Sequence, residues 1–194
     1  MKIIDATWEK RNLGMEVVEV MLDDSDLVDE DKTLKYIQKL MHGKKYVLVK
    51  VPIGYVSFLQ KIQARGFIFL ECQYELDKIL AGYSIPAKFS NRILKVSFEE
   101  IPNHSKIAWE NVCSFIDDSM FVTDRVALDP LFSVSIANLR YRNWILDLRS
   151  TPSSLHVIKS EEELLGFYIS SFISPQHSHG LLGGIFPKYQ NNGL

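Results

Sequence analysis

The sequence predicts an α/β (α+β) protein with a small N-terminal α/β domain over residues 1–100 and a second domain over residues 101–194. Two observations predict this class. Strand-like and helix-like segments alternate through the first half, which is the pattern of a small α/β unit. In the second half, two helical segments precede three consecutive strand-like segments. A chain of 194 residues is long enough to bury a core in each domain.

The first half contains three predicted strands and two predicted helices. Apolar residues recurring at helical spacing predict each helix, and a glycine closes each one. A continuous apolar run predicts a strand buried on both faces, and an alternating run predicts a strand with one apolar face. In chain order these elements are the strand MEVVEVML (15–22), the helix marked by Leu34, Ile37, Leu40 and Met41 and closed by His42-Gly43, the strand YVLVKV (46–51), the helix marked by Val56, Leu59 and Ile62 and closed by Gly66, and the strand FIFLECQYEL (67–76).

Residues 77–103 break this alternation, because Gly82, Pro86 and Pro102 are scattered through them. They predict a linker or crossover that carries one short strand, RILKVSF. The second half then begins with a helix of moderate amphipathicity, SKIAWENVCSFIDDSMF.

A second helix, PLFSVSIANLRYRNWILDL, follows the loop TDRVALDP. Asp129 is placed to cap this helix, and Pro130 is placed at its first position. Three strands come next, LHVIKS, ELLGFYISSF and HGLLGGIF. We expect the helix to bury Phe132, Ile136 and Leu139 and to turn Tyr141 and Trp144 to a neighbouring face.

Composition excludes several classes of partner. The net charge of −2 provides no broad basic surface for nucleic acid or anionic lipid. The N-terminus has no apolar segment of signal-peptide length, and no run approaches the roughly 18–20 apolar residues that span a bilayer. Cys72 and Cys113 lie far apart and predict reduced thiols in a cytoplasmic protein.

No metal site and no catalytic residue is predicted. The acidic stretch DDSDLVDEDK lacks the mid-loop glycine and closing glutamate of an EF-hand and predicts a solvated loop and helix start. His177 and His179 have i, i+2 spacing, but no cysteine or acidic ligand lies near them in the sequence. This favours two ordinary surface histidines over a zinc site. His104, Ser105 and Asp117 do not form a nucleophile arrangement, and no G-x-S-x-G elbow is present.

The last twelve residues, GGIFPKYQNNGL, combine a strand end, a proline and a Gln-x-x-Gly turn. Successive backbone N–H groups in a turn that opens a helix form a concave nest, and the helix dipole adds positive potential. Such a nest binds pyrophosphate without a basic side chain, and it needs small residues where phosphate approaches the backbone. By itself the pattern is weak and favours a disordered C-terminal tail.

This pattern, together with GFYISSF and the two preceding helices, resembles the GNAT superfamily of acyl-CoA-dependent N-acetyltransferases. The signature of that family is Gln/Arg-x-x-Gly-x-Gly/Ala after a strand and a Pro-x-aromatic entry. Pro187, Tyr189, Gln190 and Gly193 occupy the corresponding places. Upstream segments look like those of the dTDP-fucosamine acetyltransferases and their amino-sugar-acetylating relatives, in which a small α/β domain precedes the GNAT domain. These segments are WEKRNLGMEVVEV, KVPIGYVSFLQKIQARGFIFLECQYEL and DRVALDPLF…RYRNWI.

The resemblance implies a site for acetyl-CoA as cosubstrate and a small-molecule amine as acceptor. The last strand would pair with the pantetheine arm and offer a backbone N–H to the thioester carbonyl. The amine, on a nucleotide-linked sugar, would attack the thioester directly. The implied acetyl-CoA contacts are Gly184, Ile185, Phe186, Gln190, Asn191, Asn192, Gly193 and Leu194, and the implied acceptor contacts are Asp124, Arg125, Tyr141 and Trp144.

The sequence also departs from the family. The helix and strands that follow the loop in family members, and their tyrosine general acid, would lie beyond Leu194. We therefore expect a C-terminally incomplete GNAT domain with little activity alone, and an open sheet edge that pairs with a second copy or a complementing chain. The alternative is a non-catalytic relative that serves as a binding or interaction module. Independently of that choice, Tyr141 and Trp144 on an amphipathic helix are also typical of core residues, and Asp124 and Arg125 of solvated loop charges or of charges that pair with neighbours. For the enzyme, an aminoglycoside, polyamine or peptide amine is also open as acceptor.

Overall fold

Two β-sheets, one in each half of the chain, organise the computed structural model, which describes residues 1–42, 46–87, 89 and 95–191. The chain divides into two units, Met1–Glu71 and Cys72–Leu194. This division lies ahead of the domain boundary that the sequence predicts after residue 100. The fold is a mixed α+β fold with six α-helices among the described residues.

The first unit holds a three-stranded sheet in the order β1-β2-β3. β1 pairs with β2 in the antiparallel sense, and β2 pairs with β3 in the parallel sense. Parallel neighbours require a crossover connection, which the second helix supplies. The elements are β1 (Lys2–Asp5), a 3₁₀ turn (Thr7–Glu9), α1 (Lys10–Leu13), β2 (Val17–Met21), a 3₁₀ turn (Asp24–Leu27), α2 (Glu30–Leu40), β3 (Tyr46–Lys50) and α3 (Val56–Gln63).

The two predicted helices of this unit are formed as α2 and α3, and the first two predicted strands are formed as β2 and β3. The acidic stretch supplies helix caps, since the Asp29 carboxylate accepts a hydrogen bond from the Lys32 N–H at 3.0 Å. β3 differs from expectation because it is half-buried along its length, as an outer strand of the sheet. Gly43, expected to close α2, lies outside the described residues. The core consists of Val18, Val20, Leu22, Leu27, Leu34, Ile37, Phe58 and Ile62.

The strand predicted over 67–76 is not formed. The segment runs irregularly, and Ile68, Tyr74 and Leu76 are 52%, 73% and 89% exposed. A strand is stabilised by hydrogen bonds to a neighbouring strand, and no described strand pairs with this segment. The alternating pattern is therefore present without the partner that would convert it into a strand.

The second unit holds a four-stranded antiparallel sheet in the order β4-β5-β6-β7. Two long helices lie between β4 and β5 in the chain, and the last three strands follow each other directly. The elements are β4 (Ser97–Ile101), α4 (Lys106–Ser114), α5 (Arg125–Leu128), α6 (Val134–Leu148), β5 (Ser153–Ser160), β6 (Glu163–Ser174), β7 (His177–Ile185) and a 3₁₀ turn (Pro187–Tyr189). Its core consists of Trp109, Val112, Cys113, Ile116, Ile145, Leu148, Leu155, Val157, Phe167, Ile169 and Phe186.

The helix expected to begin at Pro130 begins at Val134, after Ser133. The expected cap, Asp129, is buried and accepts a hydrogen bond from the Leu131 N–H at 2.9 Å, so it closes a turn ahead of the helix. The preceding loop contains the short helix α5, which Asp124 caps. A short strand is expected over 92–98. Residues 92–94 lie outside the described residues, and the observed strand, β4, begins at Ser97.

The buried face of α6 also differs from expectation. Ala137, Ile145 and Leu148 are buried, whereas Leu139 is 45% exposed. Phe132 precedes the helix and, like Ile136, is only half-buried. Apolar residues lie on several faces of α6, so its sequence alone does not select the face that meets the core.

Among the helices of the described residues, none combines the length and the apolar composition of a membrane span.

Substitution of Gly166 tests the close approach of β6 and β7. A Cβ atom at this position would lie 2.4 Å from the carbonyl oxygen of Gly184, which is backbone and cannot move aside. We expect Gly166→Ala to lower the free energy of unfolding by about 1–3 kcal/mol, measured by urea denaturation. Gly184→Ala is the matched control, because its Cβ would meet only the flexible end of Met120 at 2.7 Å and should cost less. Equal stability of Gly166→Ala and the parent would contradict the observed packing.

The two thiols should differ in reactivity. Cys113 is 7% exposed, and burial raises the pKa of its thiol to about 11, whereas Cys72 is exposed. Because the thiolate is the reactive form, we expect a thiol reagent at pH 8 to modify one thiol per folded chain and two after denaturation.

The same shift in pKa links stability to pH. Folding raises the pKa of the Cys113 thiol above its ordinary value of 9.0. The contribution of this thiol to the free energy of unfolding is therefore present below pH 9 and is lost as pH rises toward 11.

Cys72→Ser is the control for the prediction on thiol reactivity and should leave no rapidly reacting thiol. Rapid modification of Cys113 in folded Cys72→Ser would show that its burial is wrong.

Candidate functional site

The candidate site begins at β7, which pairs with β6 on one side and is the last strand of the described sheet. The Phe186 N–H donates to the Leu165 carbonyl oxygen at 2.8 Å. In an antiparallel pair, backbone groups alternate between facing the partner and facing away. The N–H groups of Gly183 and Ile185 therefore point away from β6. The Gln190 side chain supports this direction, since its Nε2 donates to the Ile185 carbonyl oxygen at 2.9 Å.

The glycine pair leaves this part of β7 without side chains. A Cβ at Gly183 would lie 3.1 Å from the Phe167 carbonyl oxygen, and one at Gly184 would lie 2.7 Å from the Met120 Cε. Met120 thus contacts the strand where a side chain would otherwise stand. The consequence is a strand edge whose outward backbone groups are not screened by side chains at 183 and 184.

The turn after β7 is anchored by Phe186, which is 2% exposed. Its ring lies 5.0 Å from that of Phe115 and 5.9 Å from that of Phe167. Pro187–Tyr189 form a single 3₁₀ turn, and Asn191 has a φ of 63°, in the left-handed region that asparagine tolerates better than most residues. Asn192, Gly193 and Leu194, expected to complete the nest, lie outside the described residues.

The lysine in this turn is already paired. The Lys188 Nζ lies 3.0 Å from the Tyr189 hydroxyl oxygen and 3.1 Å from the Glu163 Oε1. Hydrogen bonding to Tyr189 and to Glu163 raises the pKa of Lys188, and hydrogen bonding to Lys188 lowers the pKa of Glu163. Lys188 therefore ties the turn to the start of β6.

A second group of side chains surrounds the Asp124 carboxylate, which is 7% exposed. Its Oδ1 accepts from the Val126 N–H at 2.8 Å, and its Oδ2 accepts from the Tyr141 hydroxyl at 2.7 Å. The Arg140 guanidinium lies 3.6 Å from the same Oδ2. A buried carboxylate needs such donors and a counter-charge, and Asp124 has both.

Aromatic rings extend this group. Phe121 stacks on Tyr141 with ring centroids 3.8 Å apart, and Trp144 lies 6.0 Å from Tyr141. Met120 precedes Phe121 in the chain and contacts Gly184, so it links the aromatic group to β7. We call Met120, Phe121, Asp124, Arg140, Tyr141 and Trp144 the acceptor-side cluster.

The structure brings together three of the four residues predicted for the acceptor side, Asp124, Tyr141 and Trp144. Arg125 begins α5 beside them and is half-buried. Sequence reasoning missed Met120, Phe121 and Arg140. Arg140 precedes Tyr141 and could have been proposed as the counter-charge of Asp124, but no sequence signal places the Met120-Phe121 turn against α6.

Within the described residues, no three His, Cys, Asp or Glu side chains are grouped to hold a metal ion. His177 is exposed, and its Nε2 lies 3.9 Å from the Asp77 Oδ1.

Comparisons of this chain with protein-family models, with curated proteins and with solved structures found no match.

Removal of the Asp124 carboxylate should destabilise the second unit. Asp124→Ala would leave Arg140 without this counter-charge and the Val126 N–H without its acceptor, and we expect a loss of about 3 kcal/mol in the free energy of unfolding. Tyr141→Phe removes one hydrogen bond and should cost about 1 kcal/mol. Urea denaturation measures both. Because the two residues touch, the double variant should lose less than the sum, and strict additivity would contradict the contact.

Proposed function

We propose that the second unit binds an acyl-CoA along the outward edge of β7 and transfers the acyl group to an amine. The observation that carries this proposal is the pair of outward backbone N–H groups at Gly183 and Ile185, next to a glycine pair and ahead of a tight turn. Support also comes from the chain order of the unit, in which two long helices precede three consecutive strands and the Pro-x-Tyr-Gln turn.

The binding mode is strand addition. An extended pantetheine arm carries amide groups at spacings that a strand edge can pair with, and main-chain hydrogen bonds then supply affinity without sequence-specific side chains. Small residues at 183 and 184 allow the arm to approach the backbone closely. The amides that follow Gln190 would face the pyrophosphate, as the loop resemblance implies.

The reaction we propose is direct aminolysis of the thioester. The amine nitrogen attacks the carbonyl carbon, a C–N bond forms, the C–S bond breaks and the thiolate leaves, with one proton passing from nitrogen to sulfur overall. An outward N–H of β7 would donate to the carbonyl oxygen as negative charge develops there. Holding the thioester on the β7 edge beside a bound amine supplies the proximity that a bimolecular aminolysis lacks.

The acceptor is proposed to lie against the acceptor-side cluster. The cluster combines flat aromatic rings with a tyrosine hydroxyl hydrogen-bonded to a buried carboxylate, a combination that suits a ring-bearing polar amine. A nucleotide-linked amino sugar is the acceptor that the sequence resemblance favours. A cytoplasmic location, where acetyl-CoA is available, belongs to the same proposal.

Pairing of the β7 edge with a second copy or with another chain would use the same outward backbone groups. Strand pairing and acyl-CoA binding at Gly183–Ile185 would therefore exclude each other. This competition distinguishes the ligand site from an assembly surface, because acetyl-CoA should shift any such assembly toward free chains.

Calorimetric titration with acetyl-CoA tests the proposal. Ile185→Pro removes an outward N–H while leaving the hydrogen bonds to β6, and edge positions tolerate proline. We expect it to weaken acetyl-CoA binding by about tenfold, the worth of one hydrogen bond. Ile185→Val keeps the N–H and is the matched control, with affinity within about twofold of the parent.

Absence of acetyl-CoA binding by the parent chain at millimolar concentration would contradict the proposal. Equal binding by Ile185→Pro and Ile185→Val would contradict the role of the β7 edge. Release of the CoA thiol with an amino-sugar nucleotide, a polyamine or a peptide amine identifies the acceptor class. Binding without release toward any amine would favour the non-catalytic alternative.

A further inference from the structure

The outer edge of β3 in the first unit offers backbone groups to a further strand. β3 pairs in parallel with β2, and the Tyr46 N–H and the Lys50 carbonyl oxygen both bond toward β2, to the Glu16 carbonyl oxygen and the Leu22 N–H. By alternation, the N–H and carbonyl groups of Val47 and Val49 point the other way. No described strand lies on that side.

The segment that follows α3 has the composition and position of such a strand. Gly66, with a φ of 91°, ends the helix, and the Phe67 N–H bonds back to the Ile62 carbonyl oxygen at 3.4 Å. Phe67 packs against the core of the first unit. The next two residues, Ile68 and Phe69, are 52% and 60% exposed. Two large apolar side chains thus face solvent directly after the residue that packs against the core of the first unit.

Chain connectivity selects the occupant of that edge. The parallel pair β2-β3 is already joined by a helical crossover through α2. From Lys50 the chain again passes through a helix, α3, and returns, which is a crossover long enough to place the next strand parallel to β3. Consecutive strands of this kind usually neighbour each other, and the crossover has a fixed hand.

We propose that Phe67–Glu71 adds to β3 of the same chain as a fourth, parallel strand of the first sheet. The five residues of this segment match the five residues of β3. Pairing supplies partners for the outward groups of Val47 and Val49. It also places Phe69 on the same face of the sheet as Phe67, which packs against the core, so that Phe69 loses exposed apolar surface. The first unit thereby has an open form, with the edge of β3 exposed, and a closed form, in which its own chain covers that edge. This inference is independent of the acyl-CoA proposal.

Amide hydrogen exchange of the full chain, followed by NMR, tests the closed form. In the parent, we expect the Val47 and Val49 amides to exchange at least about 100-fold more slowly than unprotected amides, because opening must precede exchange. Ile68→Pro/Phe69→Pro places a proline at two successive positions, so one of them removes a donor in either register. The protection at Val47 and Val49 should then be lost, while that of Val20 in the central strand remains.

Ile68→Thr/Phe69→Thr is the matched control, since it removes the same apolar side chains but keeps both N–H groups and a strand-forming residue type. It should retain most of the protection. Unprotected Val47 and Val49 amides in the parent would overturn the proposal. Protection that disappears on dilution would overturn it in favour of pairing with a second copy, and protection unaffected by the two prolines would overturn it in favour of another occupant.

Discussion

One-sided backbone pairing of β7 is the constraint on which the candidate site depends. β6 binds one edge of β7, and the close approach of Gly166 to the Gly184 carbonyl oxygen sets the spacing of the two strands. The other edge then carries outward N–H groups at Gly183 and Ile185. Phe186 continues the strand into the core and fixes the turn that follows. The proposed contacts with the pantetheine arm and the thioester follow from that arrangement of backbone.

The acceptor-side cluster depends on a different interaction, the buried Asp124 carboxylate. It caps α5, accepts the Tyr141 hydroxyl and faces the Arg140 guanidinium, so it joins a loop to α6. Burying a carboxylate is costly unless donors and a counter-charge surround it, and these partners therefore hold the loop in one geometry. The same geometry brings Phe121 onto Tyr141. The residues that we propose to present an acceptor thus also hold the loop in place.

Each sheet has an edge strand, β3 or β7, with no described strand on its outer side, and we propose a different occupant for each edge. In the first unit the segment that follows α3 has a strand-like sequence, and chain connectivity is the reason why we propose that it covers the edge of β3. In the second unit the edge of β7 adjoins a tight turn and an aromatic cluster, and we propose an extended acyl-CoA as its ligand.

Periodicity in the sequence by itself determined the mixed α+β class, the positions of β2, α2, α3, β5, β6 and β7, and the buried roles of Leu34 and Ile37. These follow from local spacing, because a helix or strand that buries one face has apolar residues at its own structural period. Only the tertiary structure decided that α6 buries Ala137 and Ile145 instead of Leu139, since apolar residues occupy several of its faces. It also decided that residues 67–76 run irregularly in the open form of the first unit, that Arg140 faces Asp124 and that Met120 contacts Gly184. Those outcomes depend on partners distant in the chain, which local patterns do not encode.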